Sequence, residues 1–170
     1  MSKHTTKRLC LTGLFTAIVF VCTAYLHIPS HTGYTHIGDS FIYLAACLLP
    51  LPYAAFVGAV GAVLADCLTG FALWAPGSAV IKAVTVLFFT AKKDVILSWR
   101  NWLALLPSAV VCISGYYLYE ALITGNFLAP LVGIPGYITQ SLLSSVVFIA
   151  LGLSLDKLKL KKRLTNGGNS

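Results

Sequence analysis

The chain has 170 residues, of which 58% are hydrophobic and 10% charged, with a formal net charge of +7. A soluble domain is usually about 25% charged, and a small soluble core cannot hide so much apolar surface, so the composition excludes an ordinary water-soluble domain and points to lipid as the solvent. The cations sit in clusters at the ends of apolar stretches, which fits membrane topology and argues against nucleic-acid binding.

A membrane-spanning helix needs about 20 mostly apolar residues. Read in chain order, helices are predicted at about Leu9–His27, Gly38–Leu49, Tyr53–Leu73, Gly77–Ala91, Trp102–Ile123 and Pro130–Leu155. The first follows Lys7 and Arg8 but is too long for the apolar region of a signal peptide and is read as a span. The second is stopped by Pro50 and Pro52, and the second and fourth are short for a full crossing, as helices beside a cavity can be. The loop Ile28–Ile37, IPSHTGYTHI, is the longest connection on its side and is polar.

Of the 12 Lys and Arg, three lie in the N-terminal segment, three flank the gap between the fourth and fifth helices, and five close the chain. Lys82 alone lies within an apolar stretch. The first, third and fifth connections carry none, which places them outside and both termini in the cytoplasm. The expectation is one all-α integral membrane domain over residues 1–170, six transmembrane helices, N-in and C-in, with a disordered tail over 164–170.

Five cysteines are scattered through apolar segments without a CxxC pair, so disulfides and zinc are not expected. His27, His31 and His36 are irregularly spaced, and no metal site is expected there. No Walker motif, HExxH or GxSxG occurs, so no catalytic residues and no cofactor are assigned.

Ionisable residues inside a membrane are costly unless paired or hydrated. Asp39, Asp66, Lys82 and Glu120 all fall in the outer half of this topology. Trp74, Tyr116, Tyr117, Tyr119, Tyr137, Asn126 and Gln140 share that depth. Together they suggest a wet, outward-opening pocket whose aromatics could sandwich a flat heterocycle while polar groups read its edge. Bland alternatives stand beside each: N-terminal charge complementarity for Asp39, a structural ion pair for Asp66 and Lys82, snorkelling for Glu120, and an interfacial belt for the aromatics. The candidate substrate-binding set is His31, Tyr34, His36, Asp39, Trp74, Lys82, Tyr116, Glu120, Asn126, Tyr137 and Gln140. Small residues mark two faces. One is Gly13 and Ala17. The other is Ala54, Gly58, Ala62 and Ala65, with Gly61 beside it. Each reads as bundle packing, or, for Gly13 and Ala17, as a docking surface for another membrane protein.

Several stretches carry a family likeness: GDSFIYLAACLLP (Gly38–Pro50), GAVGAVLADCLTG (Gly58–Gly70), PGSAVIK (Pro76–Lys82) and EALITGNFLAPLVGIPGYITQ (Glu120–Gln140). Over nearly the whole chain these resemble the substrate-binding S components of energy-coupling factor (ECF) transporters, nearest the riboflavin-type group. The resemblance implies an S-component-like bundle in the bacterial plasma membrane that binds a small water-soluble vitamin or heterocyclic precursor from outside. Flavin, pyrimidine, pyridoxine and queuosine-precursor types all belong to that range. It implies partners: a transmembrane coupling subunit and two ATPase subunits that power import. The family's AxxxA docking pair on the first helix corresponds to Gly13 and Ala17 in GLFTA, with glycine for the first alanine. Tyr137 stands where the family often has Asn after Pro-Gly. A self-sufficient carrier or channel is the alternative. It would need an inverted repeat or a proton relay through the bilayer, and the sequence displays neither.

Overall fold

The structure, a computed structural model, describes residues 3–30 and 33–166, with side chains described for 4–26 and 35–163. The order is α1 (Lys3–Ala24), β1 (His27–Ser30), β2 (Gly33–His36), α2 (Gly38–Leu48), α3 (Leu51–Leu68), a 3-10 turn (Ala72–Trp74), α4 (Ala75–Val86), α5 (Trp99–Thr124), a second 3-10 turn (Ala129–Gly133), α6 (Ile134–Lys157) and α7 (Leu160–Asn166). Among the described residues the fold is all-helical apart from one hairpin.

That hairpin occupies the polar loop. β1 and β2 pair antiparallel, with His27 opposite His36 and Ser30 opposite Gly33. Thr35 Oγ1 donates to the carbonyl of Gly136 at 3.5 Å, tying β2 to the start of α6.

Four segments are long and apolar enough to cross a membrane: His4–Ala24, Leu51–Leu68, Trp99–Thr124 and Ala129–Lys157. α2 and α4, with 11 and 12 residues, extend only about 17–18 Å at 1.5 Å per residue. α2 is apolar on nearly every side, as an enclosed helix should be, and all but two of its residues are buried. It sits among α1, α3, α4 and α6. Its Tyr43 stacks on Phe89 (4.7 Å between centroids, 18°) and meets Phe148 edge-on, and these rings form the centre of the main core. Outward, Leu14, Leu68, Leu106, Val110, Leu122 and Leu142 are exposed, as lipid-facing side chains must be.

Helix ends differ from the sequence expectations for local reasons. α3 stops at Leu68 because Gly70 turns left-handed (φ +89°). The Phe71 N–H then donates back to the Asp66 carbonyl at 2.8 Å, a Schellman-type stop. α4 ends at Val86, short of Ala91. The chain beyond is held by Asn101, whose side chain accepts from the Thr90 N–H and donates to the Thr90 and Ile96 carbonyls. Asp156 accepts from the N–H groups of Ile96 and Leu97 at 2.7 and 2.9 Å. The tail expected to be disordered from 164 is helical through Asn166 in α7. Residues 167–170 lie outside the described residues.

The small-residue face of α3 packs inward. A Cβ on Gly61 would lie 2.7 Å from Val19 of α1, and one on Gly58 would lie 3.2 Å from the Lys82 carbonyl of α4. Gly13 is the opposite case: a Cβ there would meet nothing within 4 Å, and both Gly13 and Ala17 are exposed.

Candidate functional site

Four helices contribute polar stripes at helical spacing. α2 carries Asp39 in its first turn. α4 presents Ser78 and Lys82, four residues apart. α5 presents Cys112, Tyr116 and Glu120 at the same interval. α6 presents Tyr137, Gln140, Ser141 and Ser144.

These stripes meet at Lys82. Its ammonium lies 2.8 Å from both Asp39 oxygens, and both side chains are 1% exposed. Gln140 Nε2 donates to Asp39 Oδ2 at 3.0 Å. The ammonium also sits 3.6 Å from Cys112 Sγ and 4.9 Å from the centroid of Tyr116, within cation–π range. An isolated charge at this depth would cost several kcal/mol. Two carboxylate oxygens, an amide and an aromatic face make the pair tolerable. The expected Asp66–Lys82 ion pair is therefore corrected: the partner of Lys82 is Asp39. α3 does adjoin α4, but the enclosed α2 brings its own carboxylate against Lys82. Asp66, also buried, lies near the end of α3, the helix that adjoins α4.

Next to the ion pair is an aromatic stack. Tyr116 and Tyr137 lie face to face (5.4 Å, 22°). Trp74 tilts against Tyr116 at 6.2 Å and Tyr119 at 6.1 Å. The Tyr116 hydroxyl is 3.1 Å from Ser78 Oγ, and Tyr137 donates to Glu120 Oε2 at 2.7 Å. Tyr119 donates to the Leu73 carbonyl at 2.8 Å, fixing the 3-10 turn that carries Trp74. Its ring lies so close over Gly77 that an added Cβ would come within 2.5 Å.

His36 closes the hairpin side. Its Nδ1 accepts from the Gly38 N–H at 3.1 Å, which leaves the proton of a neutral ring on Nε2. Its carbonyl accepts from Ser144 Oγ at 3.3 Å.

The structure thus brings together His36, Asp39, Trp74, Lys82, Tyr116, Glu120, Tyr137 and Gln140. Asn126 is set apart: it is exposed, and its Oδ1 accepts from the Leu128 and Ala129 N–H groups, shaping its own loop. Tyr117 likewise donates to the Phe127 carbonyl. His31 and the side chain of Tyr34 lie outside the described residues. Ser78 and Cys112 were missed as site residues, although their four-residue offsets from Lys82 and Tyr116 were readable. Among the described residues no group of His, Cys, Asp and Glu is arranged to hold a metal ion.

Apolar helices around an interior knot of charge and aromatic rings define a multi-pass membrane protein equipped for solute recognition. Residues 3–157 match the family model described as ECF-type riboflavin transporter, S component, and the chain belongs to that family. It is therefore a substrate-specific, non-enzymatic transporter subunit. No match was found among curated proteins.

Proposed function

We propose that the chain captures a small water-soluble vitamin or heterocyclic precursor from outside and delivers it to a coupling subunit and two ATPase subunits for import. The observation that carries this reading is the adjacency of the Asp39–Lys82–Gln140 cluster to the Trp74, Tyr116 and Tyr137 rings. A flat heterocycle takes its stacking from such rings and its edge hydrogen bonds from such a cluster. Charge narrows the class. Lys82 is already matched by Asp39, and Glu120 adds an acid beside Tyr137, which favours a neutral or cationic solute over an anionic one. Flavin, pyridoxine, pyrimidine and queuosine-precursor types all fit that limit.

In this reading all six longer helices, including the short α2 and α4, form the membrane bundle, with both termini in the cytoplasm of a bacterial cell. The Lys/Arg asymmetry supports that orientation. Gly13 and Ala17 dock the coupling subunit. Their exposure, and the open space around Gly13, support this role, because side-chain-poor notches let helix backbones approach closely in lipid.

The test is calorimetric titration of purified protein in lipid nanodiscs with riboflavin, pyridoxine, pyrimidine bases and queuosine precursors, without ATP. One of them is expected to bind tightly. Lys82→Met and Gln140→Ala are expected to weaken binding, and Ala17→Trp is expected to abolish uptake with the partner subunits while sparing binding. Uptake by the chain alone in proteoliposomes would reject the reading in favour of a self-sufficient carrier.

A further inference from the structure

The end of the bundle opposite the ion pair holds a cavity of about 720 Å³, within the roughly 300–1,000 Å³ typical of small-molecule sites. Its rim carries His4, Lys7 and Arg8 of α1, Lys92, Arg100 of α5 and Lys161 of α7. Its apolar lining includes Leu51 and Leu87, both exposed. Among the described residues no carboxylate lines it. Of the five acids of the chain, Asp39, Asp66 and Glu120 belong to the other end, Asp156 holds the Ile96 and Leu97 amides, exposed Asp94 faces Lys162, and these last two also act on Lys161.

We infer that this cavity binds one anionic phospholipid, with its phosphate among the basic side chains and its acyl region on the apolar part of the lining.

Three observations carry the inference. Topology requires only that cations be present in a loop, not that cations from four separate segments converge on one concavity. Lys93 and Lys157 show the ordinary case, since both are exposed and lie outside the cavity lining. The cavity is also amphipathic. A soluble polyanion has no use for the exposed Leu51 and Leu87 in the same lining, whereas a lipid joins phosphate to hydrocarbon, and basic pockets at a membrane boundary suit anionic headgroups. Finally, Lys161 is only 4% exposed. Burial pulls its ammonium below the usual lysine range, with Cys47, Asp156 and Asp94 opposing. A phosphate in the cavity would oppose it further.

The test is native mass spectrometry of the full chain released from nanodiscs of phosphatidylcholine with phosphatidylglycerol. The expected result is one retained phosphatidylglycerol per protein. Each removed cation should weaken retention about fivefold, so Lys92→Gln/Arg100→Gln loses roughly 25-fold. The equal-charge control Lys93→Gln/Lys157→Gln should change little. Lys92 and Arg100 are exposed, so their loss leaves the fold intact, and an unchanged thermal midpoint in pure phosphatidylcholine verifies it. Equal loss in the control pair would reduce the effect to diffuse surface charge and overturn the inference. Displacement of the lipid by soluble glycerol phosphate would assign the site to a water-soluble anion and overturn it too. So would lipid retention that is unchanged in Lys92→Gln/Arg100→Gln, or an absence of retained lipid until the coupling subunit is present.

Discussion

The two ends of this molecule treat charge in opposite ways. At the ion-pair end, Lys82 and Asp39 are nearly inaccessible and each holds the other, with Gln140 completing the set. At the basic end, five Lys and Arg side chains and one His surround a cavity without a carboxylate among them. The first arrangement makes electrostatics structural, because removing one member strands another in a medium that solvates it poorly. The second turns its cations toward a concavity that water or an anion can enter.

That contrast can be broken most severely at Lys82. Lys82→Met should cost about 3–5 kcal/mol by leaving the Asp39 carboxylate uncompensated, read as a fall in the denaturation midpoint in nanodiscs. Adding Asp39→Leu should recover much of the loss. If the single variant is as stable as the parent, the pair is not structural and the contrast fails. Asp156→Asn tests a buffered case between the extremes. It weakens two charge-assisted bonds to the Ile96 and Leu97 amides and should cost about 1.5–3 kcal/mol, with faster amide exchange at those two residues. Unchanged exchange there would mean the loop is held by other contacts.

A matched glycine pair sharpens the comparison without charge. Gly61→Ala drives a methyl against Val19 and should cost about 1–3 kcal/mol. Gly13→Ala meets open space and should stabilise α1 by about 0.5–1 kcal/mol. Thermal midpoints that move in the same direction would contradict the assignment of one face to packing and the other to free surface. The smallest effect belongs to the basic rim. Lys92→Gln should shift stability by less than about 0.5 kcal/mol, and the shift should vanish at high salt. A large, salt-independent change would place Lys92 in a buried network instead.

Much of this was legible in the sequence because lipid enforces simple rules. Apolar length located the helices, and the scarcity of intramembrane charge singled out Asp39, Asp66, Lys82 and Glu120. Aromatic and amide residues at matching depth gave Trp74, Tyr116, Tyr137 and Gln140. Which acid faces Lys82 was not legible, because it depends on α2 being enclosed by its neighbours, a tertiary fact with no local signature. That Asn126 hydrogen-bonds within its own turn was not legible either, because its depth alone matched that of the other candidates. The hairpin was hidden in a short polar loop. α7 was masked by composition, since a run of Lys next to TNGGNS reads as a solvated tail. The convergence of Lys7, Arg8, Lys92, Arg100 and Lys161 was equally invisible, because those residues come from segments far apart in the chain.

A last consequence concerns the junction between β2 and α2. A single residue, Ile37, separates them, and the His36 ring is bonded to the Gly38 amide across that gap. Asp39 follows immediately. The hairpin and the carboxylate are consequently one mechanical unit: a displacement of Asp39 either carries the hairpin with it or breaks the ring-to-amide bond. A solute that tugs on the carboxylate would thereby pull on the strand above, and exchange at the Gly38 amide would register which of the two gives way.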